Sequence, residues 1–221
     1  MAKVFIDTNV IKFSATKQLE FIPVNKPTRK CYGKITGCQV ATVGYANPND
    51  YLRDKSEIKK EAELLPNIAD LAKNEHLELF EDTEMMVESM GLPKIGSASG
   101  RLYNAPIKRA NPPLYYSRTI IGPNYMGSPD ELTLNFLKGI TDKRFIEIQK
   151  VTGAYQGGDN YNLNQLIDAF LIWSAEHNQC DYFLTLDFKL IKMVKNDNKK
   201  RVNIKMVRPS KLLQSLGRPC K

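Results

Sequence analysis

The chain has 221 residues, 42% of them hydrophobic and 25% charged, a balance that excludes a disordered, collagen-like or disulfide-stapled chain. It contains no run of about 18 apolar residues, so no membrane-spanning helix is expected, and its four cysteines (Cys31, Cys38, Cys180, Cys220) follow no framework spacing, which suits a reducing cytoplasm. The 32 Lys and Arg exceed the 24 Asp and Glu to leave a net charge of +8, a surplus that favours polyanionic partners without naming one.

The opening ends in Val4-Phe5-Ile6-Asp7. Bulky residues in unbroken succession predict a short strand buried on both faces, and the segment is too short and polar for a secretory leader. Thr8 or Asn9 then caps a helix through Val10, Ile11 and Phe13. Residues 19–46 read as extended and hairpin-like, with β-branched and aromatic residues between Pro23, Pro27, Gly33, Gly37 and Gly44. A helix is predicted over 56–73, kinked at Pro66, followed by a strand over 77–80 and a short helix over 84–90. Between 89 and 129 the composition changes. That stretch carries Lys94, Arg101, Lys108, Arg109 and Arg118 but no acid, amid Gly, Pro and Tyr103, Tyr115, Tyr116 and Tyr125. It reads as a basic insertion or arm outside the core.

Helical character resumes over 130–139, on an apolar face of Leu132, Phe136 and Leu137. The strongest helix of the chain spans 163–177 and is apolar on nearly every side, as a buried helix is. Strands follow over 181–187 and 202–207, and Ser210 is placed to cap a last helix bearing Leu212, Leu213 and Leu216. Alternating helices and strands in the C-terminal half call for an α/β fold with a parallel sheet covered on both faces. The expected organisation is one domain over 1–221, with additions over roughly 19–50 and 89–160.

Carboxylates in apolar surroundings carry the chemical information. Asp7 and Asp187 each terminate a strand, where α/β sheets build their ligand crevices. Asp168 lies within Leu166-Ile167-Asp168-Ala169-Phe170-Leu171, and a carboxylate so buried needs a partner or a cation. On the helix over 56–73, Ile58, Ala62 and Leu65 form the apolar stripe, and Glu61 falls beside it. Glu57 sits at the stripe's edge and Glu63 points away. A set of acids without clustered histidines is donor chemistry for Mg²⁺ or Mn²⁺. Such ions serve in-line displacement at phosphorus.

These residues fall in a familiar order. KVFIDTNVIKFS resembles the first motif of PIN-domain nucleases, an apolar strand ending in Asp-Thr-Asn. LIDAFLIWSAEHNQCDYFLTLDFKLIKMVK is similar to their closing motif, with Asp168, Thr185, Asp187 and Phe188 at the matching positions. VNIKMVRPSKLLQSLG is similar to the family's final strand-Pro-helix ending. The resemblance covers about 1–15 and 160–217, and 55–90 more loosely.

It implies a three-layer α/β/α sandwich around a mostly parallel sheet and a metal-dependent endoribonuclease. Asp7, Asp168 and Asp187 would ligate Mg²⁺ or Mn²⁺, and Thr185 or Asn9 would assist by hydrogen bonding. The family's remaining acid belongs on an early helix, for which Glu61 is first choice and Glu57 second. RNA is the implied substrate, and an antitoxin or a second copy of the chain the protein partner to consider. The two additions make the chain larger than compact single-domain members.

Basic residues supply candidate phosphate contacts: Lys189, Lys192 and Lys195 directly after the Asp187 strand, and Arg101, Lys108, Arg109 and Arg118 in the acid-free stretch. Two alternatives stand beside the nuclease: a non-catalytic RNA-binding or assembly module on the same fold, and the toxin of a toxin–antitoxin pair. Other chemistries find no footing. Cys31 and Cys38 lack the partners of a zinc site, and Asp159 after Gly157-Gly158 reads as a turn residue. His76 and His177 have no nucleophile beside them. No phosphate-binding glycine loop occurs, and Asn9 stands where a haloacid-dehalogenase-like phosphatase needs aspartate.

Overall fold

The computed structural model describes residues 1–14, 18–23, 41–46, 56–85, 101–116, 129–155 and 160–218. Of 18–23 and 41–46 only the backbone is described. Arg118, Asp159, Cys31, Cys38 and Cys220 lie outside these residues.

Strand β1 (Ala2–Ile6) takes the centre of the molecule because Val4, Phe5 and Ile6 are wholly excluded from solvent, which only a strand covered on both faces achieves. It pairs in parallel with β4 (Leu77–Glu81) on one side and β6 (Tyr182–Leu184) on the other. β5 (Ile107–Arg109) extends the sheet beyond β4, and β7 (Lys205–Val207) extends it beyond β6. The order is β5-β4-β1-β6-β7, parallel throughout. Phe5 and Phe183 stack across the β1–β6 pair, with ring centroids 5.6 Å apart. The expected hairpin forms a separate antiparallel pair, β2 (Gln18–Pro23) with β3 (Ala41–Ala46).

Among the described residues, eight α-helices of six residues or more accompany the strands, in two sets that make the outer layers of an α/β/α sandwich. The first set is α1 (Thr8–Ser14), α2 (Glu57–Ala62), α3 (Leu65–Lys73) and α8 (Pro209–Ser215). The second is α4 (Pro129–Lys138), α5 (Lys143–Thr152), α6 (Leu163–His177) and α7 (Phe188–Lys195). No described helix is long and apolar enough to cross a membrane.

Four expectations change, the first being that Arg208 and not Ser210 is the cap residue of α8. The helix over 56–73 is two helices, and Pro66 lies in the first turn of α3, where its missing N–H costs nothing. The C-terminal strands are shorter than 181–187 and 202–207. Most importantly, the described parts of 89–160 belong to the body. β5 is an edge strand of the main sheet, Leu102 and Ala110 are buried, and α5 sets Phe145 and Ile148 into the core. Phe145 stacks on Trp173 at 5.3 Å and meets Phe170 edge-on. Lys108 and Arg109 are exposed between these apolar residues, so composition alone disguised a core segment.

Candidate acidic site at the carboxyl rim of the sheet

Because the strands are parallel, their carboxyl ends line up on one rim, and the register fixes who stands beside whom. Phe5 pairs with Phe80, Ile6 with Leu184, Leu184 with Val207 and Glu81 with Arg109. One step further along each strand, the rim reads Ala110, Asp82, Asp7, Thr185, Arg208. Hydrogen bonds carry the pairing to this row: Asp7 N donates to Leu184 O at 3.0 Å, Thr185 N to Val207 O at 3.0 Å, and Ala110 N to Glu81 O at 2.8 Å.

At the centre of the row Asp7 is 5% exposed. Its Oδ2 accepts from Thr185 Oγ1 at 2.5 Å and from Asn9 Nδ2 at 2.7 Å. Thr185, fully buried, accepts in turn from the Asp187 amide at 2.9 Å and from Asn9 Nδ2 at 3.1 Å. Asn9 Oδ1 accepts from the Leu186 amide at 2.9 Å. The Asp-Thr-Asn and Thr-Leu-Asp segments, 176 residues apart in sequence from Asn9 to Thr185, are thereby knitted into one polar knot. Asp187 leaves the knot to cap α7, its Oδ1 accepting from Lys189 N at 2.8 Å and Leu190 N at 2.9 Å. Its Oδ2 is uncommitted among the described residues.

The other two expected acids stand differently. Asp168 is half-buried on α6. Glu61 is buried, as its place beside the stripe predicted, but α8 claims it. Its oxygens accept from Ser210 N and Ser210 Oγ, both at 2.7 Å, and Arg208 Nε lies 3.1 Å from Oε1. Glu57 pairs with the same arginine. Both helix acids are therefore partnered at the α8 end of the row.

A further buried acid beside the rim is Glu84, which was not singled out from the sequence. It is 4% exposed and sits in the helical turn over 83–85, directly after β4, the strand beside β1. Asp82, in the rim row itself, anchors that turn. Its Oδ1 accepts from the Glu84 amide at 2.9 Å, and its Oδ2 from Ser174 Oγ on α6 at 2.5 Å. Burial pushes the Asp82 carboxyl above its usual range; bonds from Ser174 and the Glu84 amide oppose that rise, and the negative charge of Glu84 adds to it. The signal was available: an apolar strand ending in an acid and turning at once into a helix is also the pattern at Asp7.

The expected basic contacts divide. Lys189, Lys192 and Lys195 are exposed on α7 and unpaired among the described residues. Lys108 is on the β5 edge and is ion-paired with Glu78, whose carboxyl that lysine holds below its usual range. Arg109 is exposed on the same strand. Arg101 opens the turn over Arg101–Asn104 ahead of it.

Every donor at the rim is an oxygen of a carboxylate, hydroxyl or amide, a hard set matched to Mg²⁺ or Mn²⁺ rather than to zinc. Among the described residues no three His, Cys, Asp or Glu side chains form a closed metal-holding group. Mg²⁺ keeps several waters and binds through one or two carboxylates plus substrate phosphate. No family model matches the chain, and no curated protein is similar enough in sequence to count as a relative.

Proposed function

We propose that the chain is a metal-dependent endoribonuclease of the PIN type. The observation that carries this reading is the coupling of Asp7 to Asp187 through Thr185 at the carboxyl rim. Asp7 and Asp187 would hold Mg²⁺ or Mn²⁺, with Asp168 and Glu84 adding negative charge around them. When bound there, such an ion supplies an activated water and neutralises charge building at phosphorus. The chain's own residues position these groups. Thr185 and Asn9 fix one oxygen of Asp7, and the α7 cap fixes one oxygen of Asp187. Lys189, Lys192 and Lys195, on the helix that Asp187 starts, supply contacts for the RNA backbone.

Purified protein incubated with single-stranded and structured RNA tests the reading. Cleavage is expected with Mn²⁺, none with EDTA, and at least a 100-fold loss in Asp7→Asn and in Asp187→Asn. Cleavage that survives both substitutions would sink the proposal. One observation favours the non-catalytic alternative, namely that no three acids close on one point among the described residues. RNA binding without cleavage in any divalent cation would establish that alternative.

A further inference from the structure

Arg208 is the one cation in the rim row, two places from Asp7. Its guanidinium is divided among unlike partners. Nε is held by buried Glu61, Nη1 pairs with exposed Glu57, and the plane lies over the Phe188 ring with 6.0 Å to the centroid. Phe188 directly follows Asp187 in sequence, so the stacking sets the arginine beside the acid centre. Nη2 has no partner among the described residues. Glu61 is itself pinned by Ser210 and is 7% exposed at its side chain, against 62% for Glu57. One carboxylate is thus a fixed mount. The other makes an exposed ion pair of small net worth, which a better anion displaces.

We infer that Arg208 is a phosphate-binding residue of this site, mounted on Glu61 and occupied by Glu57 until the backbone of a single-stranded RNA takes Glu57's place. The inference rests on the nuclease reading for the identity of the polyanion. Its physical basis is separate: a phosphodiester approaching Asp7, Asp82, Glu84 and Asp187 meets concentrated negative charge. A guanidinium at the end of that row offers two N–H groups in the fork geometry that suits phosphate. Glu61 keeps the fork facing one way, so little side-chain freedom is lost when phosphate arrives.

The two ends of the exposed pair should then act with opposite signs. The probe is a fluorescein-labelled single-stranded RNA 12-mer, with binding read by anisotropy in EDTA and unfolding followed alongside. Arg208→Met is expected to weaken binding about tenfold or more and to flatten the salt dependence, log K against log salt, by about 0.7. Arg208→Lys is expected to keep that slope. Glu57→Gln is expected to tighten binding about two- to fivefold, and this gain should vanish in the Arg208→Met background. Glu63→Gln, an exposed acid at the end of the same helix, controls for loss of charge alone.

Equal gains from Glu57→Gln and Glu63→Gln, a gain that persists without Arg208, or an unchanged slope in Arg208→Met overturns the inference. So does a wild-type protein that binds no RNA. Cleavage assays with Mn²⁺ keep the two readings apart. Cleavage with flat binding responses removes Arg208 and leaves the nuclease. Opposite-signed binding shifts without cleavage remove the nuclease and leave the phosphate contact.

Discussion

Glu61 is a buried carboxylate whose hydrogen bonds assign it a structural task. Glu61 receives two bonds from Ser210 and one cation, so Glu61→Gln should lower stability by about 1–3 kcal/mol and raise KM with kcat unchanged. Steady-state kinetics and thermal unfolding of the Glu61→Gln variant check both. Away from the rim, Arg201 holds the Asp197 carboxyl down to about 2 through side-chain and backbone hydrogen bonds. A depressed carboxylate stabilises the fold fully above its unfolded value near 4 and loses that contribution as pH falls toward 2. Asp197→Asn should therefore melt below wild type at pH 6, and the gap should close between pH 4 and 2.

Three helices end in the same way. After α3, His76 N donates to Leu71 O and Glu75 N to Ala72 O. After α6, Cys180 N donates to Ala175 O and Gln179 N to Glu176 O. After α8, Arg218 N donates to Leu213 O and Gly217 N to Gln214 O. Each is a Schellman closure, which places the residue just past the cap in the left-handed region, and Glu75, Gln179 and Gly217 have φ of 57°, 53° and 69°. Only the last is glycine. Glu75→Gly should raise unfolding free energy by about 0.5–1 kcal/mol, and Gly217→Ala, with no neighbour to strike, should lower it by about 1 kcal/mol. Urea denaturation reads both.

The same elements show where sequence reading succeeds and where it stops. Unbroken apolar runs marked β1 and the buried α6, and the acid after β1 marked Asp7, because burial and strand ends leave local traces; Asp187, read as a strand end, instead stands three residues past β6 as the cap of α7. Helical periodicity placed Glu61 inside correctly but carries no information about what covers it, and α8 arrives from 149 residues away. The stop at Glu75 had no glycine to announce it, and the core role of Leu102 and Phe145 was hidden by the lysines and arginines around them.

At the scale of the whole molecule, the charge balance is +8. Among the described residues, Asp7 and Asp82 stand at the carboxyl rim, while α7 presents three exposed, unpaired lysines on the turns after Asp187. Substituting Lys189, Lys192 and Lys195 together by Ala should reduce the salt slope of single-stranded RNA binding by about 2 units, three phosphate contacts at roughly 0.7 each. Melting temperature should stay close to wild type, since exposed lysines add little to stability.

The parallel sheet also has a practical polarity. β1 enters from the rim opposite the acids, and its five residues span about 17 Å at 3.3 Å each. Met1 is 70% exposed at that far rim. A surface anchor or fluorescent carrier joined ahead of Ala2 therefore attaches behind the sheet, at the rim opposite Asp7.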